Sequence, residues 1–121
     1  MKSIFFLLLC SPLFLFGQEQ QKNGNKASHF IALYTLGENW DTQKPPNEQT
    51  HFKEHSAFLK KLRDEETIAI GARYSEVGMI VFKAEDLNAA KALITSDIAI
   101  KNNLFNVEVH TFSPFYKGCI E

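Results

Sequence analysis

The segment Thr67–Lys83, TIAIGARYSEVGMIVFK, predicts the architecture of the chain. Two β-rich runs, Thr67–Arg73 and Val77–Lys83, flank a polar connection of the length found in β-hairpins. A strand with one face in water carries polar residues at every second position. Neither run does so, because apolar residues occupy both alternating sets. In Val77–Lys83 one set holds Val77, Met79 and Val81, and the other holds Ile80 and Phe82. In Thr67–Arg73, Ile68 and Ile70 alternate with Ala69 and Gly71.

A helical pattern lies on each side of this hairpin. Before it, apolar positions recur every three or four residues and predict a helix over Glu48–Asp64, capped by Asn47 or Thr50. After it, Asp86–Ser96 predicts a second, shorter helix with one apolar side. Asp97–Leu104 is expected to be a link with at most one helical turn.

Two outer strands, Ser28–Leu36 and Asn106–Phe112, complete the order β-α-β-β-α-β. This order predicts an α+β, ferredoxin-like fold, with a four-stranded antiparallel sheet and two helices on one face. The second face is also apolar, and little chain remains to cover it. We therefore expect a homodimer that packs through its sheet faces, as in a dimeric α/β barrel.

The chain has 121 residues and a net charge of −1, which allows one domain and gives no basic surface for nucleic acid. Residues 1–17 have the order of a secretory signal: Lys2, an apolar run too short for a membrane span, and Gly17. An uncleaved anchor is the alternative. Residues 18–27 then form a flexible leader and residues 28–121 the domain. The sequence predicts export to the periplasm or secretion, and no membrane span after cleavage.

Strand and helix directions bring most polar candidates to one rim of the predicted fold. His55 lies on the apolar stripe of the first helix and needs a hydrogen-bond partner there. Asp97, at the end of the antiparallel second helix, is placed to provide it. A carboxylate that orients one imidazole nitrogen leaves the other free for acid–base catalysis. The alternative is a polar pair that only braces the two helices.

The same rim holds weaker candidates for substrate binding. Arg73 would bind an anion or remain solvated, Trp40 would line a pocket or anchor its loop, and Tyr74 lies beside them. His51 and His55 have the spacing of two metal ligands, but no clear third ligand accompanies them, so no metal is predicted. No cofactor is predicted either, because the chain has no motif for a nucleotide or a flavin. Cys119 is a lone thiol, reactive or incidental.

The order of several short motifs resembles the YCII-related domain family over about Phe30–Tyr116. The motifs are His55-Ser-Ala-Phe58-Leu59-Lys-Lys-Leu62, Gly71, Gly78-Met-Ile-Val-Phe82, Ala89-Ala90 and Asp97. The resemblance implies a dimeric α/β barrel whose proposed active site is a His–Asp pair, here His55 and Asp97. Similar proteins include an enzyme that removes chloride from a chlorinated hydroxyhydroquinone, and muconolactone isomerases share the superfamily. The chain departs from the family at Ile98, where Pro is common, and in its signal, since members are mostly cytoplasmic.

The leading hypothesis is a cofactor-free lyase or isomerase that acts on a small cyclic or aromatic oxygenated acid. In it His55 moves a proton, Asp97 orients the imidazole, and Arg73 binds the acid. The second hypothesis is a small-ligand-binding module of the cell envelope that uses the same rim without catalysis.

Overall fold

The computed structural model describes residues 27–118; the predicted signal peptide, all but the last residue of the leader, and Cys119 lie outside them. The protein is an α+β fold with a four-stranded antiparallel sheet. The elements are β1 (Ser28–Leu36), α1 (Phe52–Asp64), β2 (Ile68–Tyr74), β3 (Val77–Ala84), α2 (Leu87–Thr95), α3 (Ile98–Lys101) and β4 (Phe105–Thr111).

The sheet has the strand order β2-β3-β1-β4, so β1 and β3 are the central strands. Opposed residues in neighbouring strands share a face, and one face carries the core. There, Phe30 lies opposite Phe82 and Ala32 opposite Ile80, and all four side chains are buried. Helix α2 packs on this face through buried Ala90 and Ile94. The predicted helical turn in the link is present as α3, which precedes β4.

Helix α1 begins later than the sequence predicts, at Phe52 rather than Glu48. Pro46–Glu48 form a separate 3₁₀ turn, and His51 has a left-handed backbone with φ of 69°. That conformation interrupts the helix between the two segments. Neither Asn47 nor Thr50 caps α1, because His51 occupies the N-cap position and makes no side-chain capping bond.

A β-bulge in β2 changes which of its residues face the helices. Ile68 lies opposite Phe82, but Ile70 lies opposite Val81, so Ala69 is the extra residue. Ile68 and Ile70 therefore occupy opposite faces of the sheet, not the single face that strict alternation predicts. From the bulge onward, Gly71 and Arg73 face the helices.

The face opposite the helices is apolar across three strands. Its side chains in β1, β2 and β3 include Ile31, Leu33, Ile70, Val77, Met79 and Val81. Strand β4 differs, because Asn106, Glu108 and His110 occupy this face. Between residues 27 and 118, the helices are all too short or too polar for a bilayer crossing.

Candidate functional site

The side chains of His55 and Asp97 are in contact, as the sequence analysis expected. Nδ1 of His55 lies 2.5 Å from Oδ2 of Asp97. Both residues are buried, with His55 8% and Asp97 2% exposed. A carboxylate oxygen accepts hydrogen bonds, so this contact places the imidazole proton on Nδ1 and leaves the lone pair on Nε2.

Local structure around Asp97 holds the carboxylate still. Asp97 is the N-cap of α3, and its Oδ1 accepts a hydrogen bond of 2.9 Å from the backbone N–H of Ala99. An aspartate side chain is a favourable N-cap because it satisfies a free N–H of the first turn. One oxygen of Asp97 is thereby anchored to the backbone while the other orients His55.

Aromatic rings surround the imidazole of His55. The ring centroid of Phe105 lies 4.7 Å from that of His55, Tyr34 lies at 5.5 Å, and Phe52 at 6.4 Å. Trp40 packs on the outer side of this group, 5.6 Å from Phe105. The catalytic candidate thus lies in an apolar, aromatic environment, where electrostatic interactions are stronger than in water.

A cavity of about 570 Å³ opens beside His55, between α1 and the β2–β3 part of the sheet. Trp40, Phe52 and Phe105 line it together with His55, and two charged side chains of opposite sign, Arg73 and Glu76, line it as well. Gly71 and Gly78 also line it. Neither glycine has a side chain to occupy the space beneath α1.

The loop that carries Trp40 is fastened by a residue that the sequence analysis missed. The side-chain Nε2 of Gln49 donates to the backbone oxygens of Asp41 and Lys44, at 2.6 and 2.9 Å. Its Oε1 accepts from the N–H of Asp41 at 2.9 Å. Gln49 is buried, and these bonds satisfy its amide. They hold the loop against the start of α1, next to the cavity.

Tyr34 is a second residue that the sequence analysis missed. It lines the cavity, yet its side chain is only 7% exposed. Within the described part of the chain, its hydroxyl has no hydrogen-bond partner. Burial, and to a smaller extent the negative charge of Asp97, raises the pKa of Tyr34, so the hydroxyl remains protonated. A tyrosine in an apolar strand is typical of a core residue, so the sequence carried no sign that Tyr34 lines a cavity.

The predicted rim residues divide between cavity and surface. His55, Trp40 and Arg73 line the cavity. Tyr74 does not line it: this side chain is opposite Val77 on the other face of the sheet and 51% exposed. The bulge in β2 is the reason, because it turns Arg73 rather than Tyr74 toward the helices. His51 is the N-cap residue of α1, has a left-handed backbone conformation and does not line the cavity.

Over residues 27–118, no group of three His, Cys, Asp or Glu side chains is arranged to hold a metal ion. No protein-family model, curated protein or solved structure matches the chain. The geometry of the cavity and of the His55–Asp97 pair therefore carries the functional argument.

Proposed function

We propose that this protein is a small cofactor-free lyase or isomerase that acts on a cyclic or aromatic oxygenated acid. The observation that carries the proposal is the contact of Asp97 with His55 at the wall of an aromatic cavity. Nδ1 is occupied by Asp97, so Nε2 is the nitrogen available to a bound molecule. An imidazole oriented in this way is suited to general acid–base catalysis.

The proposed step is a proton transfer at carbon. Nε2 of His55 removes a proton from a carbon next to an oxygen-bearing carbon of the ring. In an isomerase, the resulting imidazolium returns that proton to another carbon, and the double bond moves. In a lyase, the electron pair forms a double bond while a leaving group departs with its bonding pair. Asp97 stabilises the imidazolium, and Arg73 binds the acid.

The fold assignment belongs to the same proposal. The strand order β2-β3-β1-β4, with helices following β1 and β3, supports a ferredoxin-like arrangement. It is compatible with the YCII-related resemblance, in which a His–Asp pair forms the active site. We further propose that the protein is exported, because residues 1–17 resemble a secretory signal.

A homodimer through the open sheet face is the third part of the proposal. The apolar patch on β1, β2 and β3, together with the polar face of β4, supports an interface centred on β3. Met79→Glu would place a charge in this patch and is expected to yield a monomer in sedimentation analysis. Glu108→Gln on β4 is the matched control. A Met79→Glu protein that remains dimeric would contradict this interface.

The catalytic proposal is tested by His55→Asn. Asparagine retains a donor near the position of Nδ1, and so keeps Asp97 paired, but it has no nitrogen in place of Nε2. The protein is incubated in D₂O with unsaturated lactones and hydroxylated aromatic acids, and deuterium uptake and product formation are followed by mass spectrometry. We expect uptake with the parent and a loss of 10²-fold or more with His55→Asn. His110→Asn, at an exposed histidine of β4, is the control.

The second candidate function gives a different result. A binding module would retain a ligand in the aromatic cavity, and His55→Asn would weaken the complex, but neither exchange nor product would be detected. Turnover that persists in a folded His55→Asn protein would refute the acid–base role of His55.

A further inference from the structure

Two charged side chains of opposite sign line the cavity at its hairpin end. Arg73 is the penultimate residue of β2, and Glu76 is the second residue of the two-residue turn before Val77. Both residues are exposed to solvent. Within residues 27–118, no ion pair joins the guanidinium of Arg73 to the carboxylate of Glu76. Both charges are therefore available to a molecule in the cavity.

The other end of the cavity is aromatic and holds His55. The ring centroids of Phe105 and Tyr34 lie 4.7 and 5.5 Å from that of His55. The register relates this end to the charged one, because Gly78 lies opposite Tyr34 in the β1–β3 pair and opposite Arg73 in the β2–β3 pair. The backbones of Tyr34 and Arg73 are thus two strand spacings apart, about 10 Å. The residue between them is a glycine, which has no side chain to divide the cavity.

The two charges together disfavour a ligand that carries only one. A simple carboxylate is attracted by Arg73 and repelled by Glu76, and a simple amine meets the reverse. A ligand with a carboxylate and an ammonium group side by side satisfies both residues through charge-assisted hydrogen bonds. An ion pair between exposed side chains contributes little to stability, so such a ligand can separate Arg73 from Glu76 at little cost.

We infer that this cavity binds an aromatic amino acid as its zwitterion, with the carboxylate on Arg73, the ammonium group on Glu76 and the ring at the aromatic end. The inference rests on the proposed function and deepens it, because it specifies the oxygenated acid as one that carries an amino group beside its carboxylate. It also places the ring, rather than the acid group, next to His55. The cavity volume of about 570 Å³ is within the range of small-molecule sites.

Calorimetric titration of the purified protein with tyrosine, 3-(4-hydroxyphenyl)propionate and tyramine tests this inference. The three probes share a phenol ring, but the propionate lacks the ammonium group and tyramine lacks the carboxylate. The parent is expected to bind tyrosine roughly five- to tenfold more tightly than either. In Glu76→Gln the propionate should bind at least as tightly as tyrosine, because the repulsion and the ammonium contact are both lost. In Arg73→Gln the same should hold for tyramine.

Glu85→Gln and Arg63→Gln are the matched controls, since both residues are exposed and do not line the cavity. They should keep the parent's preference for tyrosine. All four substitutions are at exposed positions, so the variants should melt within a few degrees of the parent. A parent that binds the propionate as tightly as tyrosine would have a simple anion site, and the inference would be overturned. A preference for tyrosine that persists in Glu76→Gln, or failure of all three probes to bind, would also overturn it.

These outcomes are distinguishable from failure of the proposed function. If the preference for the zwitterion depends on Glu76 but His55→Asn does not affect proton exchange, the cavity binds as inferred and the catalytic proposal is wrong. If His55→Asn abolishes exchange while Glu76→Gln leaves the preference unchanged, catalysis stands and the ligand class is wrong.

Discussion

His55 and Asp97 are 42 positions apart in the chain, yet Nδ1 of one lies 2.5 Å from Oδ2 of the other. The contact joins α1 to the first turn of α3. Oδ1 of Asp97 accepts from the N–H of Ala99 and so caps that turn, which means that one carboxylate both caps the helix and orients the imidazole. A change at Asp97 therefore acts on local stability and on the tautomer of His55 in separable ways.

Asp97→Asn is expected to separate these two effects. The asparagine oxygen still accepts from Ala99, but the amide donates to Nδ1 and moves the imidazole proton to Nε2. We expect the fold to persist and deuterium exchange into substrate to fall by roughly 10²–10⁴-fold. ¹⁵N NMR of the His55 ring reports the tautomer directly. Asp97→Ala, which loses both contacts, should lower the free energy of unfolding as well. An Asp97→Asn protein with the parent's tautomer would contradict this account.

Gln49→Ala should loosen the loop that carries Trp40. The substitution removes three hydrogen bonds between a buried amide and the loop backbone. We expect the free energy of unfolding to fall by about 1–3 kcal/mol in urea titrations. Tryptophan fluorescence should shift to longer wavelength, because Trp40 gains exposure to water. Gln43→Ala, in the exposed part of the same loop, is the control and should change neither signal. Equal effects of the two variants would exclude a specific role for Gln49.

Gly37→Ala should destabilise the junction between β1 and the α3–β4 connection. A Cβ at Gly37 would lie 2.1 Å from the backbone oxygen of Asn103, too close for any atom pair without backbone movement. The N–H of Gly37 also donates to Leu104 at 2.9 Å, which keeps the two segments together. Forced overpacking of this kind costs about 1–3 kcal/mol.

Chemical denaturation of Gly37→Ala and Gly118→Ala measures this effect. Among residues 27–118, no atom lies within 4 Å of a Cβ placed at Gly118, so its substitution should leave the unfolding midpoint unchanged. A Gly37→Ala midpoint equal to that of the parent would show that the two segments can separate without cost.

Tyr34 should make stability depend on pH at the alkaline end. Burial and the charge of Asp97 raise its pKa above the ordinary value of 10.0, so the folded state keeps a proton that the unfolded state releases. The contribution of Tyr34 to the free energy of unfolding is fully present below pH 10 and declines as the pH rises above that value. Above pH 10, the free energy of unfolding should fall by about 1.4 kcal/mol per pH unit because of this group.

Urea unfolding between pH 9 and 11, for the parent and for Tyr34→Phe, isolates this contribution. The parent should lose more stability across the range than Tyr34→Phe, and Tyr116→Phe, at an exposed side chain, should behave as the parent does. Parallel pH profiles of parent and Tyr34→Phe would show that Tyr34 ionises equally readily in both states.

The contact between His55 and Asp97 was predictable because the position of each residue in the fold follows from local sequence patterns. Helical periodicity placed His55 on the buried side of α1, and Asp97 follows the last apolar turn of α2. The start of α1 was not predictable in the same way. It depends on the left-handed backbone of His51 and on hydrogen bonds from Gln49 to residues earlier in the loop.

Composition and periodicity along the chain determined the order of strands and helices, the two-sided apolar character of the hairpin, and the helix faces that meet. These properties are local, because each depends on the spacing of a few neighbouring residues. Only the tertiary structure decided that Arg73 rather than Tyr74 faces the cavity, and that the hydroxyl of Tyr34 has no acceptor among residues 27–118. The first depends on one extra residue in β2, and the second on which groups from distant segments surround the phenol. Neither leaves a pattern in the sequence.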